Sequence, residues 1–222
     1  MAIDGPASAG KSTVAKLVAK RFGYIYCDTG AMYRAVTVAA LKKGIAVDDS
    51  QVVAELVKTV KITFEPGEPD QKVFLNGEEV TRAIRQPEVA SNVSAVAAIP
   101  EVRTAMTEQQ REIAAAGGIV MDGRDIGTTV LPNAPVKIFM VASAHERARR
   151  RYLENKQKGI ATTSLADLQR AIELRDQKDS TRKVSPLVQA ADAIRLDTTH
   201  LTIDQVVDKI SEIIEKKRDQ FQ

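Results

Sequence analysis

Residues 5–12 read GPASAGKS and satisfy the pattern G-x-x-x-x-G-K-[S/T] at every fixed position, which restricts this chain more than any other feature. The pattern works only where a buried strand ends and a helix begins, because the loop's N–H groups and the helix N-terminus then converge on one anion. Both flanks fit. Ala2 and Ile3 lead into Asp4 as a short strand, and Val14, Leu17, Val18 and Phe22 recur at i, i+3, i+4 and i+8, predicting one apolar stripe on a helix. Gly5, Pro6, Ala7, Ser8, Ala9, Gly10, Lys11, Ser12 and Thr13 are therefore the candidate cradle for a nucleoside triphosphate. In such a cradle the lysine reaches the β- and γ-oxygens and the hydroxyl of Ser12 is offered to Mg2+. The fold class that follows is α/β, a central parallel sheet flanked by helices.

A length of 222 residues suits about one domain with a small insertion. No apolar run approaches the ~18 residues of a membrane helix, and the N-terminus runs into the glycine-rich loop rather than a signal peptide. The expectation is a cytoplasmic protein without a membrane partner. A single cysteine, Cys27, cannot form an internal disulfide. The net charge is only +3, aromatics make 4% and Trp is absent, so no nucleic-acid partner is expected.

Along the chain, Tyr24 to Cys27 read as a strand running into DTGAMYR. There Thr29 is the expected helix cap, with its hydroxyl and nearby N–H groups available to an anion, and Arg34 brings a guanidinium fork suited to phosphate. A plain cap with a solvated arginine is the other reading. A helix continues to Lys43 and Gly44, and another is predicted over 48–60, opened by Asp48 in a D-x-x-Q box. Residues 61–64 and 72–75 read as strands around a turn at 66–70, with a tight turn at Asn76-Gly77. Helices over 88–98 and 102–116, separated at Pro100, carry Ser94 and Arg103.

The apolar run 119–121 delivers Asp122, Gly123, Arg124 and Asp125 at a strand's C-terminal end, where parallel sheets bind ligands. Asp122 stands where a carboxylate helps hold hydrated Mg2+ through water, and Arg124 and Asp125 can meet phosphate and base or sugar. After a strand over 136–141, a capping box from Ser143 to Glu146 opens a helix with Arg147, Arg149, Arg150 and Arg151. With the polar loop at 157–163 it forms a candidate lid, whose arginines would neutralise a transferring phosphoryl group and exclude water. A solvated basic helix is the alternative. In the next helix, 164–180 and just beyond, Arg175, Asp179 and Arg182 share one face, suiting either a nucleotide or an intrahelical ion pair. A strand at 193–196 and a helix from Thr202 close the sheet, with Ile203, Val206, Val207, Ile210, Ile213 and Ile214 on one face.

With GPASAGKS, DTGAMYR, MDGRDIGT, HERARRR and RDQKDSTR in order across nearly the whole sequence, the chain resembles the bacterial cytidylate kinases. The resemblance implies a P-loop core from residues 1–28, 99–142 and 183–222, a monophosphate-binding region over 29–98 with an insertion at about 57–95, and a lid with its adjoining helix over 143–182. It implies transfer of the γ-phosphoryl group of ATP to CMP or dCMP with Mg2+, in a monomer. Thr29, Arg34, Arg124 and Arg182 then match ligands of the CMP phosphate, and Ser94, Arg103 and Asp125 match readers of cytosine. Arg175 and Asp179 match a pair near the acceptor's sugar and phosphate. Lys11, Arg124, Arg147, Arg151 and Arg182 form the implied catalytic set. Thr29 stands where some relatives carry Ser, and Lys178 and Ser180 where some carry Arg.

Three other readings remain at this point. Kinases of uridylate, adenylate or thymidylate share the same loop and lid, with Ser94, Arg103 and Asp125 as the discriminating positions. A regulatory GTPase requires N-K-x-D, and the nearest string, NKQK at 155–158, lacks the carboxylate. An RNA-binding role for the arginines of 147–151 runs against the mild charge and few aromatics.

Overall fold

The computed structural model describes residues 1–67, 71–157, 159–160 and 163–219. Residues 68–70 of the expected 66–70 turn, and 158 and 161–162 of the expected lid loop, lie outside these. Among the described residues the elements run β1 (Ala2–Asp4), α1 (Lys11–Phe22), β2 (Ile25–Asp28), α2 (Thr29–Lys42), α3 (Ser50–Val57), β3 (Ile62–Glu65), β4 (Lys72–Leu75) and β5 (Glu78–Glu79). They continue with α4 (Pro87–Val96), α5 (Pro100–Ala114), β6 (Ile119–Gly123), β7 (Lys137–Val141), α6 (Ala144–Gln157), α7 (Leu165–Thr181), β8 (Ile194–Asp197) and α8 (Ile203–Asp219). Two compact units result, residues 1–26 with 118–222, and residues 27–117.

In the first unit β1 is the middle of a five-stranded sheet ordered β2-β6-β1-β7-β8. Its pairings with β6 and β7, and that of β7 with β8, are parallel, with Asp4 level with Gly123 and Phe139. Parallel strands end on one edge, so the loops after β1, β6, β7 and β8 gather there, where such sheets bind ligands. Ile3, Val120, Ile138 and Met140 of the strands pack in one core with Val14, Ala15, Val18 and Ala19 of α1 and Val206, Val207, Ile210 and Ile214 of α8. Two residues expected on these stripes turn outward: Leu17 is 39% exposed and Ile203 51%. On α1 the inward places fall to Ala15 and Ala19, whose short side chains bring the helix backbone close to the sheet.

Helix ends refine the expected caps. The cap of α2 is Asp28, whose carboxylate accepts from Ala31 N at 2.9 Å, so Thr29 is the first helical residue and not the cap. Asp49, not Asp48, opens α3 by accepting from Val52 N. An aspartate caps best directly before the first helical residue, and at both ends the competing polar neighbour is displaced by one place. At α6 only half the box forms: Ser143 Oγ accepts from Glu146 N, while the Glu146 carboxylate is drawn to Arg149 and Arg150. At α8 the box is complete, between Thr202 and Gln205.

The second unit holds the antiparallel sheet β3-β4-β5, with Ile62 opposite Leu75 and Phe64 opposite Val73. The helices α2 to α5 belong to the same unit; α5 packs on α2 and α3, and Val53 of α3 and Val102 and Met106 of α5 are buried. Residues 99–117, expected with the core, thus group here, because α5 buries its apolar face against α2 and α3.

Candidate active site

The glycine-rich loop leaves β1 through a position that only glycine fits. Gly5 has φ +149°, and a Cβ there would lie 2.0 Å from the carbonyl oxygen of Met140 on β7. Gly10, at φ +88°, is left-handed and caps α1. The first N–H groups of α1 have no acceptor within the helix and are available to an anion. Lys11 is 5% exposed and its Nζ donates to the carbonyl of Pro6 at 2.7 Å. Burial pushes its pKa well below the ordinary lysine range, and the charge of Arg124 pushes it further; Asp122 and Asp4 oppose this, while Arg175 adds to the depression.

At the end of β6, Asp122 is buried and both its oxygens are engaged. The Ser12 hydroxyl donates to Oδ2 at 2.8 Å and the Tyr26 hydroxyl to Oδ1 at 2.9 Å. One hydroxyl and one carboxylate, both hard oxygen donors, are the partial set that Mg2+ takes from a protein when phosphates and water supply the rest. The residues expected to serve the metal, Ser12 and Asp122, are thus brought together.

The loop after β6 is tied to the start of the cradle by Asp4. Its Oδ1 accepts from Ile126 N at 2.8 Å and its Oδ2 from Gly127 N at 2.7 Å. Burial pushes this carboxyl up to about 6, while the two N–H groups act to lower it. Residues 126–130 form one wide turn, closed by Val130 N to Asp125 O and Leu131 N to Ile126 O, a π-type bulge of the kind frequent at functional sites. Nothing in the apolar pattern of IGTTV signals it.

Arg124, Asp125, Asp179 and Arg182 come together as interleaved charges. Arg124 Nε donates to Asp179 Oδ2 at 3.1 Å, and Arg182 lies 3.8 Å from both Asp179 Oδ1 and Asp125 Oδ1. Arg182 Nε also donates to Ser185 O at 2.7 Å. Arg175 is half-buried on α7.

The arginines of α6 separate by direction. Arg147 is buried: Nη1 donates to Ala7 O at 3.0 Å, Nε to Ala142 O at 2.9 Å, and Nη2 pairs with Asp176 Oδ2 at 2.6 Å. Arg150 reaches Ala9 O at 3.3 Å and Thr198 Oγ1 at 3.1 Å. Arg151 Nε donates to Ser8 Oγ at 3.3 Å, whereas Arg149 turns to Glu146 on the surface. Three of the four therefore touch the glycine-rich loop, which a solvated basic helix does not explain. Sequence reasoning passed over Tyr26 and Asp176, and it placed Arg150 among the lid arginines but outside the implied catalytic set. The i, i+3 spacing sets Asp176 beside Asp179 on α7, but no pattern points to Tyr26.

In the second unit, Thr29 is buried at the first residue of α2, with Arg34 half-buried further along the same helix, and Ser94 is half-buried on α4. Arg103 is 2% exposed, lies over the Tyr33 ring at 5.1 Å from its centroid and donates to Ala97 O at 3.1 Å. It does not belong to a solvated face.

A glycine-rich cradle at the C-terminal edge of a parallel sheet, with a buried lysine and a strand-end aspartate joined to the loop's serine, defines a P-loop nucleotide-binding protein. The profile of the Cytidylate kinase family matches residues 1–216. A cytidylate kinase of Limosilactobacillus reuteri is 72% identical over 221 residues, covering 100% of this chain and 97% of the relative. Those of Limosilactobacillus fermentum and Lactiplantibacillus plantarum are 73% and 68% identical over 216 and 218 residues, covering 97% and 98% of this chain and 95% of each relative. The chain belongs to the cytidylate kinase family. Among solved structures, an uncharacterized protein from Eubacterium ventriosum shares the fold at 12% identity, with a TM-score of 0.51 over 97% of both chains.

Proposed function

We propose that this chain moves the γ-phosphoryl group of ATP directly to the phosphate of CMP or dCMP, giving ADP and CDP or dCDP. The observation that carries the reading is the charge at the sheet edge. Lys11 is buried in the glycine-rich loop, and Arg147, Arg150 and Arg151 donate to Ala7 O, Ala9 O and Ser8 Oγ of the same loop, a convergence of cations whose repulsion a bound polyanion relieves. The acceptor follows from membership of the family.

In this reading the N–H groups of residues 7–13 and the Lys11 ammonium hold the β- and γ-phosphates, with Gly5 and Pro6 shaping the start of the cradle. Ser12 and Asp122 would hold Mg2+, Asp122 through water, and the metal would neutralise phosphate charge. In the first unit Arg124 and Arg182 are assigned to the acceptor's phosphate, Asp125 to cytosine, and Arg175 and Asp179 to the acceptor's sugar and phosphate. In the second unit Thr29 and Arg34 are assigned to the acceptor's phosphate, and Ser94 and Arg103 to cytosine. An ionised phosphate monoester is its own nucleophile, so the protein supplies position and charge neutralisation and no covalent intermediate is needed. Arg151 follows the transferring group, while Arg147 holds the loop through Ala7. A cytoplasmic monomer is the setting proposed; with Cys27 the single cysteine, an internal disulfide cannot form.

The test is ADP release with Mg-ATP and, separately, CMP, dCMP, UMP, AMP, GMP and TMP. Turnover greatest with CMP and dCMP is expected. Turnover greatest with another monophosphate refutes the cytosine assignments of Ser94, Arg103 and Asp125.

A further inference from the structure

We propose that Tyr26 is a positioning residue for metal-dependent binding of the triphosphate: its hydroxyl fixes the Asp122 carboxylate so that the other oxygen stays directed at Ser12 and the Mg2+ held there. The inference rests on the reading of Ser12 and Asp122 as the metal's protein partners.

The final torsion of an aspartate is broad, so a carboxylate gripped at one oxygen still rocks about its Cβ–Cγ bond. Asp122 is gripped at both, by Tyr26 at 2.9 Å on Oδ1 and by Ser12 at 2.8 Å on Oδ2. These two contacts define the carboxylate plane. A phenol also suits the task chemically, because it donates without carrying charge. A lysine or arginine in its place would neutralise the carboxylate and compete with the metal, whereas a neutral donor leaves the negative charge available. Partners that orient a metal's ligands in this way alter metal affinity by about 10- to 100-fold when removed.

The phenol is held from two sides. Its strand runs beside β6, with Ile25 N donating to Gly118 O at 2.7 Å, just before the strand that carries Asp122. On its other side the Lys16 ammonium lies over the ring, 5.8 Å from the centroid. Lys16 is one turn beyond Ser12 on α1, so the ring contacts the helix that carries the hydroxyl and its own hydroxyl reaches the carboxylate.

The test measures ATP affinity by calorimetry, with Mg2+ and with EDTA, for the wild type, Tyr26→Phe and Asp122→Asn. Tyr26→Phe keeps the ring and its contact with Lys16 and removes only the hydroxyl. The expected result is that the gain in affinity conferred by Mg2+ falls about tenfold in Tyr26→Phe, while affinity in EDTA and the melting temperature stay at wild-type values. Asp122→Asn should lose at least as much of the gain. If Asp122→Asn loses the gain and Tyr26→Phe keeps it within about twofold, the role of Tyr26 is refuted and the metal reading stands. If Tyr26→Phe weakens binding equally with and without Mg2+, Tyr26 is a structural residue and the proposal fails. If Asp122→Asn keeps the full gain, the metal reading falls and the proposal with it.

Discussion

Replacing Arg147 with methionine should damage the protein through its fold before its chemistry. The side chain is 6% exposed and its partner Asp176 22%, with 2.6 Å between Nη2 and Oδ2. Methionine fills much of the arginine's volume but leaves the Asp176 carboxylate without its cation, and the carbonyls of Ala7 and Ala142 without the donors they have at 3.0 and 2.9 Å. Breaking a buried pair by removing one partner costs about 3–5 kcal/mol. Asp176 retains some access to water, which favours the lower end, about 3 kcal/mol. At roughly 2–4 °C per kcal/mol for a chain of this size, the melting temperature should fall by about 6–12 °C. Asp176→Leu alone strands the arginine and should cost a similar amount, whereas the double variant removes both charges and should recover about 2 kcal/mol of the summed loss. Urea unfolding of the four proteins supplies the cycle. A melting temperature lowered by less than about 2 °C, or single effects that add within about 0.5 kcal/mol, would refute the reasoning.

Other perturbations test other parts of the site. Lys11→Ala should lower kcat by about 10²- to 10³-fold in steady-state assays without lowering the melting temperature, since it removes a buried cation that Arg124 and Arg175 repel; a large loss of stability would contradict this. Asp125→Ala should raise the KM for CMP and relax the choice of base with less effect on kcat; unchanged KM and base choice would remove Asp125 from cytosine recognition. Burial raises the Asp4 carboxyl from the ordinary 3.8 to about 6 in the fold, so between those values the native state holds a proton that the unfolded chain has released. Its contribution therefore falls as pH rises through that window and amounts to a cost of about 3 kcal/mol above it. Urea midpoints of the wild type relative to Asp4→Asn should accordingly favour the wild type more at pH 4 than at pH 7, and a difference independent of pH would contradict the assignment.

Much of this was legible in the sequence because the strongest signals are local. GPASAGKS carries its own geometry, and the edge strands, the helix opening near Pro87, the break between two helices near Pro100 and the 62–75 hairpin follow from residues within a few positions of one another. What the sequence did not resolve depends on direction or on distant partners. Arg147, Arg149, Arg150 and Arg151 look alike in a row, but only the sheet edge decides which of them meet the glycine-rich loop. Leu17 outranks Ala15 by hydrophobicity, yet the close approach of α1 to the sheet selects the smaller side chain. The pairs Asp48/Asp49 and Asp28/Thr29 each hold two plausible caps, and a displacement of one residue reverses the choice. Tyr26 and Asp122 lie 96 positions apart, and only strand order makes them neighbours.

The most direct test of the central claim follows the phosphoryl group itself. The protein is incubated with Mg2+, CMP and ATP labelled at the γ-phosphate, and the products are separated from the protein. Direct transfer predicts label in the β-phosphate of CDP, appearing with ADP in equal amounts, and none retained on the protein. Label accumulating as inorganic phosphate regardless of CMP, or bound covalently to the chain, would contradict the account.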